Sequence, residues 1–230
     1  MKRILLLSDV HANFQALDTL SAFARESDLI LCLGDLIGYY CQVNEVLEWM
    51  RLHKAFAVRG NHDEMLLTGR CDGMPDAVRF GIEYADRVID PDHRRWLSTL
   101  PLVWGGFLDD SDPDARLSAL LFHGSPWSPL DDYLYADSEK LSGLARFRYD
   151  LLAFGQTHRP LLKKANDVLL LNPGSVGQSR HRPAVACGAT LQIRTGGFEP
   201  TLLECPYDPA PVIRLAVENG AGDWIRKHLE

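Results

Sequence analysis

Cysteine is scarce in this sequence and lacks any pairing that would carry chemistry. Cys32, Cys41, Cys71, Cys187 and Cys205 are the only five in 230 residues. Their odd number and scattered spacing exclude a CxxC zinc or redox site. Cys32, inside "LILCLGD", is expected to be a small core residue. Long hydrophobic runs are also missing. The apolar start Ile4-Leu5-Leu6-Leu7 stops at Ser8-Asp9, too short for a signal core or a membrane span, so a cytoplasmic protein with no membrane partner is expected. Positive charge is the third shortage. With 24 Lys and Arg against 31 Asp and Glu the net charge is −7, which leaves no extended basic surface for nucleic acid. What is present is an ordinary globular composition, 46% apolar and 24% charged, in a length suited to one sizeable domain.

The chain has no internal repeat and no low-complexity tract. "RILLLSDV", "DLILCLGDL" and "AFAVRGNHD" read as buried strands ending in turn-forming residues. Between them, "NFQALDTLSAFARES", with Phe14, Leu17, Leu20 and Phe23 on one face, and "NEVLEWMRLHK" read as helices. Alternating strands and helices predict an α/β sheet with functional residues at the carboxyl ends of strands. A helical excursion over about 68–100 is broken at Pro75 and Pro91, with "DPDHRRWLSTL" as an N-capped helix. A second series of strands follows in "LVWGGFL", "ARLSALLFHGSP", "LLAFGQTHRP", "KANDVLLLNPGSV" and "VACGATLQI". Gly105-Gly106 and Asp109 to Asp114 read as hairpin turns. Residues 1–205 are expected to form one domain and 206–230 a peripheral tail. His53 and His93 read as surface residues of helices, and His228 belongs to the tail.

Each strand end delivers the same kind of residue: Asp9-Val10-His11, Gly34-Asp35, Gly60-Asn61-His62-Asp63, Phe122-His123-Gly124 and Gly155-Gln156-Thr157-His158. One Asp-x-His is a weak signal, because a loop Asp commonly caps or bonds its own turn. Five such ends in order are a strong one. Carboxylate, imidazole and amide oxygen suit divalent Mn, Fe, Co, Ni or Zn. Two such ions ~3.5–4 Å apart clamp the attacking and leaving oxygens of a phosphoester displacement.

The ordered set DxH, GD, GNH[DE], H and GHxH resembles the calcineurin-like metallophosphoesterases. The phrases "LLLSDVHANFQALDTL", "RGNHDEML", "FHGSPWSPLDDYLY" and "NPGSVGQSR" resemble their small bacterial and archaeal phosphodiesterase-type branch, over about residues 2–193. The resemblance implies a four-layer α/β/β/α sandwich of two packed mixed sheets flanked by helices. It also implies two divalent metal ions. Asp9, His11 and His158 would bind the first, Asp35 would bridge, and Asn61 and His123 would bind the second. His62 would meet the substrate as general acid or transition-state stabiliser, with Asp63 orienting its ring. The implied reaction is hydrolysis of a small phosphodiester by in-line attack of a metal-bound hydroxide.

Gln156 departs from the resemblance, since the family usually has histidine there. Its amide oxygen is a neutral and weaker ligand, so the second ion is expected to bind less tightly or to prefer Mn or Mg; absence of any metal contact at Gln156 is the other reading. "NPGSVG" at 172–177 reads as a tight turn, with Asn172 able to bond a ligand histidine. Asn13 reads as a helix cap more than a substrate contact. Tyr39 and Tyr40 form either an aromatic wall for a base or aryl group or core packing. Arg159, Arg180, His181 and Arg182 form either a solvated run or a phosphate-facing rim. A serine/threonine phosphatase is disfavoured because Asp35 is followed by Leu36-Ile37-Gly38 and not by VDRG. Phosphomonoester hydrolysis on the same site, a scaffold that has lost turnover, and homo-oligomerisation stay open.

Overall fold

The computed structural model describes residues 2–108, 116–194, 197–227 and 229–230. Alternation along the first strand, β1 (Lys2–Leu7), decides how the molecule is layered. Leu5 and Leu7 point into a core shared with helices, while Ile4 and Leu6 point into a core shared with a second sheet. A strand apolar on both faces is stable only when both faces are covered.

After β1 come the short helices α1 (Phe14–Asp18) and α2 (Ser21–Arg25), then β2 (Leu29–Cys32), α3 (Val43–Leu52), β3 (Phe56–Ala57) and α4 (Asn61–Thr68). The excursion forms α5 (Asp76–Val88) and α6 (Pro91–Thr99). The second half contains β4 (Val103–Phe107), β5 (Ser118–Phe122), α7 (Lys140–Leu144), β6 (Leu151–Ala153), β7 (Leu161–Ala165), β8 (Val168–Asn172), β9 (Val185–Arg194), β10 (Gly197–Pro206) and α8 (Ala210–Glu218). One mixed sheet has the order β10-β9-β1-β2-β3 and the other β4-β5-β6-β8-β7. Parallel pairing of β1 with β2 and β2 with β3, and of β5 with β6 and β6 with β8, brings the carboxyl ends that carry the candidate ligands to one edge. Between the sheets, Ile4, Leu6, Leu31 and Leu33 share a core with Ala119, Leu121, Leu169 and Leu171. Leu120 and Phe122, on the other face of β5, pack with Leu141 and Leu144 of α7. This is the four-layer arrangement.

Several local readings change. The helix expected across "NFQALDTLSAFARES" is two helices, because Thr19 N and Leu20 N bond carbonyls three residues back, Ala16 O and Leu17 O, and tighten the chain there. Gly105-Gly106 is no hairpin turn; both lie inside β4, paired with Leu120 and Ala119 of β5. β7 and β10 were not expected from the sequence. Both have largely exposed faces and both lie at a sheet edge, where polar residues and, in β10, Pro200 are tolerated. Residues 206–230 are not peripheral. Val212, Ile213, Ala216, Ile225 and Leu229 bury against Tyr40 and Cys41, because α8 is apolar on the face it turns inward. His93 is 6% exposed, held between Asn44 and Glu48 of α3, and so is not a surface residue. His53 caps α3 and stacks on Trp49. Asp109 to Asp114 and His228 lie outside the described residues. No described helix is long and apolar enough to cross a membrane.

Candidate metal centre

Strain marks the edge where the strands end. Asp9, His11, Asp35, Gln156 and His158 all have φ between 52° and 68°, the left-handed region that side chains other than glycine rarely adopt. The loops are held there by hydrogen bonds between segments remote in sequence. Asp9 N donates to Gly34 O, His11 N to Asp35 O, and Gly155 N to His123 O. Glycine is required at 60, where a Cβ would lie 2.1 Å from Asp35 Oδ1.

Three imidazoles meet two carboxylates at this edge. His158 Nε2 is 3.3 Å from Asp9 Oδ1, and His123 Nε2 is 3.3 Å from Asp35 Oδ2. His11 Nε2 lies 3.7 Å from Asp35 Oδ2 and 3.0 Å from His158 Nε2. All five side chains are buried. Each ring bonds a backbone carbonyl through Nδ1: His11 to Ile37 O, His123 to Leu33 O and His158 to Gln178 O, at 3.2, 2.6 and 2.8 Å. A carbonyl only accepts, so Nδ1 carries the hydrogen and a neutral ring presents its lone pair at Nε2. Nε2 atoms 3.0 Å apart with no hydrogen between them repel unless a positive charge lies beside them.

Among the described residues, Asp9 Oδ1 and Gln156 Oε1 are buried with no hydrogen-bond partner. Unpaired buried acceptors of this kind are costly unless a donor or cation answers them. Three groups have ligand atoms within 4.8 Å of one another: Asp9 with His11 and His158, Asp9 with Asp35 and His123, and His11 with Asp35 and His62. The donor set therefore fits divalent cations. Asn61 Oδ1 is 3.2 Å from His123 Nε2 and joins the second group.

The charges agree with this geometry. Burial, then the neighbouring His62, pushes His11 well below the usual imidazole range, leaving a neutral ring. Burial works against ionisation of Asp35, but His123, His62 and His11 outweigh it and hold its carboxyl well below the carboxylate range. Burial would also lower His123, yet the charges of Asp35 and Asp9 raise it to about 10. The carboxylates thus attract a positive charge to the place where the histidines converge.

Gln156 is 4% exposed, and its Nε2 donates to Leu130 O at 3.2 Å, which turns its oxygen away from that carbonyl. His62 is buried with no partner for Nδ1 among the described residues, and its Nε2 lies 3.9 Å from Asp35 Oδ2. Asp63 does not orient the His62 ring. Its two oxygens accept from the amides of Asp35, Leu36, Ile37 and Gly60 at 3.0 to 3.3 Å, tying the loop after β2 to the start of α4. Asn172 likewise bonds no ligand histidine. It donates to Gly155 O and Thr157 Oγ1 and accepts from Gly174 N, holding the Gly155–Thr157 loop.

Asn13 caps α1 through Ala16 N and donates to Gly177 O and Tyr207 Oη. Tyr39 is brought to the centre, its ring 4.7 Å from His11 and 4.8 Å from His62. Arg180 sits beside the Tyr39 hydroxyl. Arg159 is exposed, and His181 and Arg182 pair with Glu204 of β10 away from the centre. Sequence reasoning missed Ser8, whose hydroxyl donates to Asp9 Oδ2 at 2.6 Å, and Gln178, whose carbonyl orients His158. Adjacency to Asp9 was the available signal for Ser8; nothing local marked Gln178.

The family model described as the calcineurin-like phosphoesterase superfamily domain matches residues 1–196. An uncharacterized protein of Methanocaldococcus jannaschii is 26% identical over 98% of this chain and 96% of its own length. A metallophosphoesterase from Sphaerobacter thermophilus superposes with a TM-score of 0.81 at 26% identity, covering 99% of this chain and 98% of that one. A hypothetical protein from Pyrococcus horikoshii OT3 superposes with a TM-score of 0.84 at 18% identity, covering 99% and 97%, and its likeness is one of fold.

Proposed function

The chain belongs to the calcineurin-like phosphoesterase superfamily, a family of metal-dependent phosphoric ester hydrolases, and on that premise we propose that it hydrolyses small phosphodiesters at the carboxyl edge of its two sheets. The observation that carries this reading is the convergence of three histidine Nε2 atoms, each ring fixed by an Nδ1–carbonyl bond, on two ionised carboxylates. Asp9, His11 and His158 would hold one divalent ion, Asn61 and His123 a second, and Asp35 both. Such ions supply positive charge to phosphoryl oxygens and make water a nucleophile at neutral pH.

The protein's own groups do the rest. Asp35 sets the separation of the two sites, with its Oδ1 held by His62 N. Ser8 fixes the Asp9 carboxylate through Oδ2, and Oδ1 faces His158 Nε2 at 3.3 Å. His62 is buried, which lowers its pKa and keeps the ring neutral. It acts by hydrogen-bond donation to a phosphoryl or departing oxygen. Arg180, beside Tyr39, stands at the mouth of the centre to receive the phosphate.

The test is assay of metal-stripped protein on bis-p-nitrophenyl phosphate and p-nitrophenyl phosphate with added Mn, Ni, Zn, Fe or Mg. Metal-dependent turnover with preference for the diester is expected. Turnover of neither ester with any ion would sink the hydrolase reading for this chain, and preference for the monoester would replace diester by monoester.

Gln156→His is expected to tighten the weaker of two binding events in a metal titration by about 10-fold or more, since imidazole binds first-row ions better than an amide oxygen. Two unchanged binding constants would show that residue 156 touches no ion.

A further inference from the structure

The Tyr207 hydroxyl, just past β10, joins two loops that serve the ligands of one ion. Tyr207 lies beyond the residues 1–196 that the family model matches. Its ring packs on both the helix-side core of the first sheet and the cluster around α8, and its N donates to Ala184 O at 3.1 Å. The hydroxyl accepts from Asn13 Nδ2 at 3.0 Å and has Gly177 O, at 3.5 Å, for its own hydrogen. Burial pushes this hydroxyl up to about 12, against the smaller pull of Asn13, so the hydrogen stays on at neutral pH.

Asn13 stands two residues after His11 and is fully buried. Its Oδ1 accepts from Ala16 N, and the two hydrogens of its Nδ2 go to Gly177 O and Tyr207 Oη. Gly177 N donates in turn to Asp9 O at 3.0 Å, and its backbone lies so close to the loop after β1 that a Cβ would fall 1.9 Å from Val10 O. The next carbonyl along the chain, Gln178 O, accepts from His158 Nδ1 at 2.8 Å. One hydroxyl thus closes a run of bonds from the loop of Asp9 and His11 to the carbonyl that orients His158. Without it a buried N–H of Asn13 has no acceptor, and leaving a buried donor unanswered costs more than the bond itself contributes. Asn13 must then turn or draw in water, and either change loosens Gly177 and the Gln178 carbonyl that follows it.

We propose that Tyr207 is a positioning residue for the ion site of Asp9, His11 and His158, its hydroxyl fixing Asn13 against Gly177 and thereby the Gln178 carbonyl that sets the His158 ring. The assignment rests on the phosphoesterase reading for the presence of the ion and adds a residue that shapes its site.

The test is a calorimetric titration of the metal-free full chain with Mn, in the wild type, Tyr207→Phe, Asn13→Ser and the double variant. Phenylalanine keeps the ring; serine keeps an oxygen to cap Ala16 N and gives up both N–H donors. His158→Ala identifies the binding event that belongs to this ion. Tyr207→Phe is expected to weaken that event by about fivefold or more and to leave the other unmoved. In the Asn13→Ser background the same substitution is expected to add no further loss, because the hydroxyl acts through Asn13. Val212→Ala, which thins the α8 cluster without touching the hydroxyl, is expected to move neither event.

An unchanged constant in folded Tyr207→Phe protein, equal weakening of both events, or losses that add in the double variant would overturn the proposal and leave the phosphoesterase reading standing. If the wild type binds no ion, the metal reading fails instead, and nitrogen-edited NMR of the metal-free protein decides the positioning alone. Solvent exchange of the His158 Nδ1 hydrogen that quickens by about fivefold or more in Tyr207→Phe supports it, and an unchanged exchange rate overturns it.

Discussion

Asp35→Asn is expected to lower phosphodiester turnover by at least ~10³-fold, the scale of losing a preorganised charge at a reacting phosphate. One oxygen of this residue, Oδ2, lies within 3.3 to 3.9 Å of His123, His11 and His62, so both proposed ion sites depend on a single charge. The amide keeps the shape of the carboxylate and can still accept from His62 N through Oδ1, so the metal-free protein should fold. What it loses is the charge that attracts a cation to the histidines. Thermal unfolding with and without added Mn provides the second readout. The wild type is expected to gain stability from the ion by mass action, and the variant little or none. Activity within about tenfold of the wild type would remove Asp35 from its bridging role.

Asp63→Asn is expected to cost about 3 kcal/mol of stability, because two of the four backbone amides lose their acceptor and face an amide nitrogen instead. Asp63→Ala should cost somewhat more. Burial and the Asp35 charge push the Asp63 carboxyl up to about 7, with the Gly60 and Ile37 amides pulling it down. The four bonds tie Asp35, Leu36 and Ile37 to Gly60, so the loop that presents Asp35 loosens with the substitution. Urea unfolding of metal-free protein measures the effect without interference from ion binding. A loss under about 1 kcal/mol would mean that other groups or water satisfy these amides. Activity lost without stability would mean that the four bonds place Asp35 in the site without holding the fold.

Much of the centre was legible because its donors sit at strand ends in a fixed order. Asp9, His11, Asp35, Asn61, His123 and His158 each follow an apolar run, and the parallel pairing that aligns those ends follows from βαβ connection. The helix caps at Asn13 and Asp90 were legible for the same reason, since a cap is a matter of three or four neighbouring residues. Partners distant in sequence were not. His93 reads as a surface residue until α3 brings Asn44 and Glu48 to it. Asp63, beside His62, reads as its orienter until the loop after β2 folds over it and supplies three of its four hydrogen bonds, Gly60 N supplying the other.

By itself the sequence determined the α/β class, the metal-type chemistry and the anomaly at Gln156, because composition, strand periodicity and donor identity are properties of short segments. Only tertiary structure decided that Val212, Ile213, Ala216, Ile225 and Leu229 pack against Tyr40 and Cys41, that the buried Gln156 oxygen has no partner among the described residues, and that Trp224 meets Tyr39 and Gln178 around one cavity. Those outcomes depend on which apolar faces cover one another and which polar atoms go unanswered once they do. No window of the chain contains both partners of such a contact.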